Sequence, residues 1–558
     1  MKQLEAHEVP LHKVFCSDYD FRIPNYQRPY AWQPEQAEQL LSDLAEALDS
    51  SGDEPYFLGS IVLVKEPRDA AADVIDGQQR LTTLTILLAV LRDLAEDPGL
   101  QAELDAQIAE PGKMTLGLTA KPRLTLRSKD AGFFRTYVQT KGSIATLLEL
   151  KTDKLKTDAQ QALQANARAL HLQLSTWSPE RQLKLVQLLA ARTFLVVVST
   201  PDLESAHRIF SVMNARGLDL SPADIFKSLI IGDLDLATGD DCAAKWEDAE
   251  ESLGRDDFAD LFLHLRMIFA KERARRELLK EFPEQVLNRY FLPGKAQDFV
   301  NDVLVPYANA YEQIRDHSYS TPTGAEQVNA WFRRLAQIDN NDWRPSALWA
   351  LRNHGQDAGW LDRFFRTLER LAASMFIRRI YTTPRVLRYA ELLKELDGGY
   401  ELDAPSFTLT GDERAATRER LAGPIYLDTR TRKYVLLRLD EVLANSSGAV
   451  YAYPLITVEH VLPQKPKTGS RWLDDFGEDE RERWTHRLGN LVLLNRAKNS
   501  EAQNYDFATK KAKYFTSKLG TVNFALTAQV LNYETWTPEV LAKRQDYLLT
   551  ALSTEWDL

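Results

Sequence analysis

The sequence contains very few cysteines and no long apolar run. Its two cysteines among 558 residues are Cys16 and Cys242, which excludes a disulfide framework and a cysteine-rich zinc site. The longest apolar stretches, such as LTILLAVL at 84–91, are far shorter than the roughly 20 residues of a membrane-spanning helix. No secretory apolar segment opens the sequence, so we expect a cytoplasmic protein that does not associate with membranes.

Several other common signals are also missing. The sequence has neither a P-loop lysine motif nor a GxGxxG motif, which excludes the common nucleotide-binding folds. It shows no fixed-period repeat and no low-complexity tract. Positive charge is not in excess, because 80 acidic residues against 69 basic ones give a formal net charge of −11. This balance excludes an indiscriminate polycation, whereas local basic patches could still bind nucleic acid.

The chain does contain a β-rich beginning followed by a long helical region. The runs FLGSIVLV (57–64) and ADVIDG (72–77) predict strands that alternate with helices, and TFLVVVST (193–200) predicts a further strand of the same domain. Apolar spacing of period 3.6 then predicts mostly helix as far as about residue 400, and a Gly- and Pro-rich stretch near 396–412 predicts a linker. We therefore expect a multidomain α+β protein, predominantly helical, with a domain at 1–235, a helical middle region at 236–396 and a final domain at 397–558.

A compact polar constellation lies near the C-terminal end of the sequence. The segment ITVEHVLPQ (456–464) predicts a short strand that carries Glu459 and His460 side by side. A second short strand, NLVLL, begins at Asn490, and Asn499 follows nine residues later. Hydrolysis of a phosphodiester requires a base that activates water and a cation that stabilises charge on the leaving oxygen. An imidazole suits the first task, and carboxylate and amide oxygens suit Mg²⁺ as ligands.

This constellation resembles the HNH (His-Me finger, ββα-metal) nucleases, and specifically the C-terminal nuclease domain of GmrSD-like Type IV restriction endonucleases. The resemblance covers about residues 400–558 and depends on the pattern EH…GNL…N. It implies that His460 is the general base and that Asn490 braces the loop and orients this base. It further implies that Glu459 and Asn499 are ligands of Mg²⁺ or Mn²⁺. The wider superfamily more often has Asp at the first of these two positions, which makes Asn499 the better-supported ligand.

The surroundings of this constellation carry positive charge. Seven basic residues but only two acidic ones lie between Arg487 and Lys518, which predicts contacts to backbone phosphates, with a solvated helix face as the alternative. His486 either contacts phosphate or metal, or simply packs or faces solvent. The arginines of IRRIYTTPRVLRY (377–389) either line a DNA channel or lie on the surface. The predicted DNA contacts in the final domain are Arg496, Lys498, Lys510 and Lys511.

Two polar segments near the N-terminal end are not explained by packing alone. IPNYQRPYAW (23–32) surrounds Arg28 with aromatic residues and has prolines that fix an extended path. VIDGQQRLTTL (74–84) predicts a strand, a glycine turn, two Gln and an Arg, and then a helix that begins at Thr. Arginine can bind phosphate in a bidentate way, and a helix N-terminus after such a turn attracts anions. Tyr26, Tyr30 and Trp32 either stack on DNA bases or form a packing seam.

These segments, together with AHRIFSVMNARGLDLSPADIFKSLI (206–230), resemble the N-terminal domain of the same restriction family. The resemblance spans about residues 8–235 and has three motifs in the expected order. It implies a ParB/sulfiredoxin-like α/β core with a DGQQR motif, which binds and hydrolyses a nucleoside triphosphate in a manner linked to restriction. The residues that it assigns to the nucleotide site are Asp76, Gln78, Gln79, Arg80, Arg28, Asn214 and Arg216.

The sequence as a whole predicts a nucleotide-regulated, modification-dependent Type IV restriction endonuclease that cuts double-stranded phage DNA. In some members of the family, the surface that corresponds to Tyr26, Tyr30 and Trp32 senses DNA modification. Two other hypotheses stay open: a nucleotide-switched DNA-binding protein with an inactive nuclease module, and an RNA-cleaving abortive-infection effector, because HNH chemistry does not itself select DNA over RNA. The nucleotide, the DNA modification and a homo-oligomeric state are not specified by the sequence.

Overall fold

The computed structural model divides the chain into two compact units, Met1–Trp246 and Glu247–Leu558. No helix in its described part is long and apolar enough to cross a membrane. Five residues of the predicted sites lie outside the described residues, namely Asn214, Arg216, Arg496, Lys498 and Asn499. The structure describes the whole chain except residues 1–3, 51–54, 113–118, 203–204, 207–208, 210–221, 233, 446–454, 496–504 and 516–523, and the side chains of 236, 513 and 514.

The first unit is built around a mixed β-sheet. Its strands are β1 (Glu5–Pro10), β2 (Asp20–Arg22), β3 (Tyr56–Val64), β4 (Ala71–Asp76), β5 (Ala109–Glu110), β6 (Lys121–Pro122), β7 (Leu124–Thr125) and β8 (Thr193–Thr200). Six of the described strands form one sheet in the order β1-β8-β3-β4-β2-β7, and β5 pairs with β6. Strand β3 is parallel to β8 and antiparallel to β4. The three strands predicted from the sequence are therefore confirmed, and the structure places them side by side in one sheet.

The described α-helices begin within the first unit and dominate the second. As far as residue 253 they are α1 (Leu11–Val14), α2 (Pro34–Asp49), α3 (Gln78–Leu94), α4 (Pro98–Ile108), α5 (Ser128–Phe134), α6 (Ile144–Glu149), α7 (Asp158–Leu174), α8 (Pro179–Ala191), α9 (Pro222–Ile231) and α10 (Leu236–Leu253). Helix α3 is buried along almost its whole length, where its apolar residues belong to the main core and its buried Gln, Thr and Arg side chains are hydrogen-bonded.

In its described residues, the second unit contains the remaining α-helices and one β-ribbon, formed by β9 (Thr457–His460) and β10 (Leu491–Leu494). Its described helices are α11 (Arg255–Ala270), α12 (Leu278–Phe282), α13 (Ala296–Asp298), α14 (Val305–Asp316), α15 (Ala325–Leu335), α16 (Arg344–His354), α17 (Ala358–Ile377), α18 (Thr382–Asp397), α19 (Gly411–Ala422), α20 (Arg432–Leu443), α21 (Arg471–Asp475), α22 (Glu478–Trp484), α23 (Phe507–Thr509), α24 (Ala525–Leu531) and α25 (Pro538–Glu555). The prediction from period-3.6 spacing that the chain is mostly helical as far as about residue 400 is thus confirmed for the described part of this unit.

A buried ion network joins the helical middle of the sequence to its last helices. The Arg438 guanidinium donates to Glu369 and to Glu441, each at 2.9 Å. Arg334 donates to the same Glu441 carboxylate at 3.0 Å, and the Trp556 indole donates to Glu369 at 3.0 Å. Removal of one partner from such a buried network costs about 3–5 kcal/mol, because the other charge is left uncompensated. The network therefore connects these helices within the second unit.

The stretch near 396–412, which its composition marks as a linker, is packed. It forms two short 3₁₀ turns, Glu401–Asp403 and Pro405–Phe407. Phe407 is buried, and its ring lies 5.5 Å from that of Phe364 in an edge-to-face contact. Arg388 also donates to the carbonyls of this stretch. The Gly and Pro residues therefore shape a turn within the second unit.

Candidate functional site

The EH and GNL segments of the sequence meet in the two-stranded ribbon. Strands β9 and β10 are antiparallel, with His460 opposite Leu491 and Glu459 opposite Val492. The ribbon lies on a small aromatic core that includes Trp472, among other buried residues. Consecutive side chains of a strand point to opposite faces. Glu459 and His460 are therefore directed into different surroundings.

Asn490 connects the end of β9 to the turn before β10. Its side chain is fully buried. Its Oδ1 accepts a hydrogen bond from the Leu462 N–H at 2.7 Å, and its Nδ2 donates to the carbonyls of Leu462 at 3.0 Å and Thr485 at 2.9 Å. The Val461 N–H in turn donates to the Asn490 carbonyl at 2.9 Å. Asn490 thus fixes the backbone that follows His460, as the expected bracing role requires.

Helix α25 holds the turn that precedes Asn490. Arg544 is fully buried and donates to the Gly489 carbonyl at 2.6 Å. The Gln545 Oε1 atom accepts a hydrogen bond from the Gly489 N–H at 2.6 Å. A Cβ atom at position 489 would lie 2.9 Å from the Leu541 carbonyl oxygen. The close approach of the helix therefore explains the glycine, and neither Arg544 nor Gln545 was predicted as part of the site.

His460 lies among polar and aromatic groups at the end of β9, where it is 6% exposed. The Tyr426 ring contacts its imidazole edge-to-face, with 4.0 Å between centroids. The Gln464 amide lies 3.1 Å from its Nδ1 atom, and the orientation of this amide determines which ring nitrogen carries the proton. The imidazole is therefore held in one orientation, as a general base requires.

Tyr426 and His486 form one side of the His460 environment. Their rings stack at 5.5 Å with an interplanar angle of 15°, and the His486 centroid lies 5.4 Å from that of His460. The Arg432 guanidinium lies 4.6 Å from the Tyr426 ring centroid. Burial lowers the pKa of His486, so this imidazole is neutral at pH 7. The structure places His486 in packing contacts, and the sequence pattern gave no signal for Tyr426.

Glu459 lies beside Lys510 on the opposite face of β9. The Lys510 amine donates to the carbonyls of His460 at 3.0 Å and Val461 at 2.7 Å. Burial lowers the pKa of Lys510 to about 7, and the negative charge of Glu459 opposes this shift. Lys510 is only 1% exposed. The prediction that Lys510 contacts DNA is therefore contradicted, because its amine binds the backbone of β9 instead.

Lys511 is likewise engaged within the protein. Its amine donates to the Tyr533 carbonyl at 2.5 Å and lies 5.6 Å from the Phe507 ring centroid. The side chain is half-buried. Of the four basic residues predicted to bind DNA here, the two that the structure describes are thus both used to hold the second unit together.

The ligand types near the ribbon fit a hard divalent cation. Glu459 precedes His460 in the sequence and offers a carboxylate on the other face of β9, beside Lys510, and Asn499, outside the described residues, offers an amide oxygen. Mg²⁺ takes such oxygen ligands together with several waters. In the part of the chain that the structure describes, no group of three or more His, Cys, Asp and Glu residues could hold a metal. A metal here would therefore depend on Asn499 and water in addition to Glu459.

In the first unit, strand β4 delivers the DGQQR segment to the start of α3. Gly77 has a φ of +93°, and a Cβ atom there would lie 2.4 Å from the Ile61 side chain, so the turn requires glycine. Helix α3 begins at Gln78 directly after it, with no side-chain cap. The predicted start at Thr is therefore wrong. The Thr82 and Thr83 hydroxyls bond to carbonyls one turn earlier within the helix.

The two glutamines of the motif bind the IPNYQRPYAW segment. The Gln79 Oε1 atom accepts a hydrogen bond from the Ala31 N–H at 2.8 Å, and its Nε2 donates to the Pro29 carbonyl at 3.0 Å. The Gln78 amide donates to the Gln27 side chain at 3.3 Å. Both motif glutamines are buried. In contrast to their predicted role in nucleotide binding, these amides therefore serve the protein's own loop.

The charged members of the motif lie together at the start of α3. Arg80 donates to the Ser60 carbonyl at 3.0 Å. Burial raises the pKa of Asp76, whereas the Gly77 backbone hydrogen bond and the charges of Arg80 and Arg28 oppose this rise. One carboxylate and two guanidinium groups are thus close together beside an uncapped helix N-terminus, which also attracts anions. Asp76, Arg80 and Arg28 are thus near enough for the two guanidinium charges to act on the carboxylate, and their role in nucleotide binding stays a prediction.

The aromatic residues of IPNYQRPYAW are packed into the first unit. Tyr30 is 5% exposed, and its hydroxyl lies 2.7 Å from the Thr83 hydroxyl. Tyr26 packs on a small cluster that includes Val62, and Trp32 packs on the main core. These contacts agree with the alternative that the three aromatic residues pack within the domain. Stacking of a base on the buried Tyr30 ring is contradicted.

Comparison with known families gives matches over both units. The family described as "GmrSD restriction endonuclease, N-terminal domain" matches residues 11–231, and "GmrSD restriction endonucleases, C-terminal domain" matches residues 410–551. No curated protein matches the chain. The two matched regions contain the DGQQR segment and both strands of the ribbon. The chain therefore belongs to the GmrSD family of Type IV restriction endonucleases.

Proposed function

We propose that this restriction endonuclease, whose family indicates DNA cleavage in phage defence, uses His460 as the general base of an HNH-type reaction. The observation that carries the proposal is the braced end of β9, where Asn490 fixes the backbone next to His460. The His460 imidazole takes a proton from water as the water attacks the phosphorus of a phosphodiester, and the bond between phosphorus and the leaving oxygen breaks. A positioned base contributes about 10²–10⁴-fold to such a reaction.

The metal part of the proposal assigns Glu459 and Asn499 as the residues that would hold Mg²⁺ or Mn²⁺. Such an ion, when bound, stabilises negative charge on the phosphate and on the leaving oxygen. Asn490 holds the loop, and Tyr426 and Gln464 orient His460. Glu459 also carries the counter-charge of Lys510, so its substitution is expected to affect both metal affinity and the backbone of β9.

The experiment is digestion of plasmid DNA, modified phage DNA and total RNA by the purified protein and by His460→Ala. We expect cleavage of modified phage DNA by the wild type and a loss of at least about 100-fold in the variant. His7→Ala, which removes an exposed histidine of the first unit, is the matched control and should cut normally. Wild-type nicking by His460→Ala would overturn the assignment, and selective cleavage of RNA would support an RNA-directed effector instead.

The regulatory part of the proposal is a nucleoside triphosphate site formed by Asp76, Arg80 and Arg28. The support is their shared position beside the uncapped start of α3, where charge-assisted bonds to phosphate can form. Nucleotide binding there would alter DNA cleavage only if two states of the protein differ in nucleotide affinity. Dependence on DNA modification is supported by the family resemblance alone.

Arg80→Ala tests this regulation, with the exposed Arg68→Ala as the matched control. We expect the variant to remain folded, to lose nucleotide hydrolysis and to change the rate or selectivity of DNA cleavage. Melting temperature, nucleotide turnover and cleavage are measured on the same preparation. A folded variant without hydrolysis that cuts modified and unmodified DNA like the wild type would show that the two activities are independent.

A further inference from the structure

The second unit has a groove of about 1060 Å³ that the predicted mechanism does not use. It runs between the end of α17, helix α19 and the loop 423–428, and Arg487 lies at its edge. Small-molecule pockets of about 300–1,000 Å³ are lined mainly by apolar and aromatic side chains. This groove is slightly larger than that range and differs in its lining, which contains Arg378, Arg379, Arg420 and Arg487.

Two of these arginines are neutralised within the protein and two are not. Arg378 pairs with Glu413 at 3.2 Å, and Arg379 pairs with Asp428 at 2.8 Å. Arg420 and Arg487, in contrast, have no acidic partner among the residues that the structure describes. Arg420 is exposed. On a chain with a formal net charge of −11, the four arginines face three acids, the paired Glu413 and Asp428 and the lining Glu419, which leaves the groove positive by one charge.

The groove shares a wall with the His460 environment. Ile425 and Leu427 line the groove, and Tyr426 between them contacts the His460 ring at 4.0 Å. On the other segment, Arg487 lines the groove and directly follows His486, whose ring lies 5.4 Å from that of His460. The segments 425–427 and 486–487 therefore each contribute one residue or more to the groove lining and one aromatic ring to the surroundings of His460.

We propose that this groove binds the sugar–phosphate backbone of the DNA next to the scissile bond, with Arg420 and Arg487 as its phosphate contacts. The proposal rests on the proposed function, in which His460 cleaves DNA. Unpaired guanidinium groups bind phosphate oxygens without sequence preference and position the duplex. The predicted basic contacts in the described part of the final domain, Lys510 and Lys511, hold the protein's own backbone, so the groove supplies the missing cationic surface.

The test measures cleavage of an end-labelled duplex as a function of DNA and salt concentration for Arg420→Ala and Arg487→Ala. Arg418→Ala, on the same helix as Arg420, is the matched control because Arg418 lies outside the groove and donates to the Leu558 carbonyl. We expect KM to rise about tenfold for each groove variant, from the loss of one charge-assisted contact. Equilibrium binding of the same duplex is measured in parallel, and the slope of log Kd against log salt should fall in magnitude by about 0.9 per lost phosphate contact, with kcat at saturating DNA unchanged.

The outcomes separate this inference from the proposed function. If the wild type cleaves DNA but both groove variants have the KM and the salt slope of the wild type, the proposal that the groove binds DNA is wrong. The assignment of His460 as the general base would be unaffected. Cleavage that persists in His460→Ala would overturn the proposed function. Nucleotide turnover is measured in parallel: a raised KM for the nucleoside triphosphate together with unchanged DNA binding would assign the groove to a free nucleotide and overturn the DNA proposal. A charge-reversal variant, Arg420→Glu, should raise KM further if the groove binds backbone phosphate.

Discussion

The DGQQR segment and the EH…GN ribbon are alike in one respect, the structural use of an amide side chain. In each, an amide side chain binds the backbone of a distant segment: Gln79 bonds to Ala31, 48 residues away, and Asn490 bonds to Leu462, 28 residues away. In each, the ionisable side chains stand next to this fixed backbone. A polar motif can therefore contain both the residues that build a site and those that act in it.

The two regions differ in how their charges are arranged and supported. The first unit has three interacting charges near the start of the long helix α3, namely those of Asp76, Arg80 and Arg28. In the ribbon, Glu459 and His460 are separated onto two faces of a four-residue strand. The first arrangement suits an anionic ligand that several charges bind together. The second suits chemistry at one positioned imidazole, and its geometry depends on a few buried hydrogen bonds.

The largest expected effect is that of Asn490→Ala, which tests this dependence. The change leaves the Leu462 N–H and the carbonyls of Leu462 and Thr485 without their buried partner. Each unsatisfied buried group costs about 1–3 kcal/mol, so we expect the free energy of unfolding to fall by about 3–5 kcal/mol and cleavage to be lost. Thermal or denaturant unfolding of the variant measures the first effect.

The control for this experiment is Asn532→Ala, which removes an exposed asparagine from the same unit. It should be as stable as the wild type and should cleave DNA normally. An inactive Asn490→Ala protein with wild-type stability would contradict the bracing role. Asn490 would then act on the substrate itself, as His460 is proposed to do.

A smaller effect is expected in the first unit from Gln79→Ala. The substitution removes the bonds to the Ala31 N–H and the Pro29 carbonyl, at a cost of about 2 kcal/mol. Because Gln79 positions the segment that carries Arg28, nucleotide turnover should fall as a consequence of the loosened loop. The exposed Gln39→Ala serves as the control. A stable variant that binds nucleotide more weakly would instead place the Gln79 amide on the ligand.

The comparison also explains how far the sequence could predict the structure. Strands β3, β4 and β8 were predictable because β-branched runs end at turn residues, and the helical middle was predictable from its apolar period. The roles of Gln79 and Lys510 were not predictable, because their partners are backbone atoms of segments distant in sequence. Propensity and spacing contain no information on such bonds.

Arg544 and Tyr426 show two kinds of omission. Arg544 stands at an apolar position of α25, between the buried Leu541 and Leu548, and an arginine at such a position is a signal of a buried structural role that could have been used. Tyr426 lies in a short 3₁₀ turn, Ile425–Leu427, whose sequence has no distinctive feature. Only the three-dimensional arrangement brings it to His460.

The smallest expected effect on stability is that of Asp76→Asn. This variant also best distinguishes a structural role of the residue from a role in nucleotide hydrolysis. Burial raises the pKa of Asp76 in the folded protein, more than its hydrogen bond to Gly77 and the charges of Arg80 and Arg28 lower it. The folded state therefore binds this proton more tightly than the unfolded state, and stability from this group falls as pH rises through the interval between the ordinary pKa and the raised one. Above that interval, Asp76 is ionised in both states, and its burial lowers the stability of the folded protein by the full amount.

The asparagine side chain keeps the shape and the acceptor of Asp76 but never ionises. At neutral pH we therefore expect Asp76→Asn to be as stable as the wild type or more stable by roughly 0.5–1 kcal/mol, and the difference should shrink as the pH is lowered through the acidic interval. Nucleotide hydrolysis should nevertheless be lost. Unfolding curves at several pH values and turnover assays measure both effects, with the exposed Asp153→Asn as the control. A destabilised variant would mean that the Asp76 carboxylate holds Arg80 and Arg28 as a structural ion pair, and the motif would then build the fold with its charges as well as with its amides.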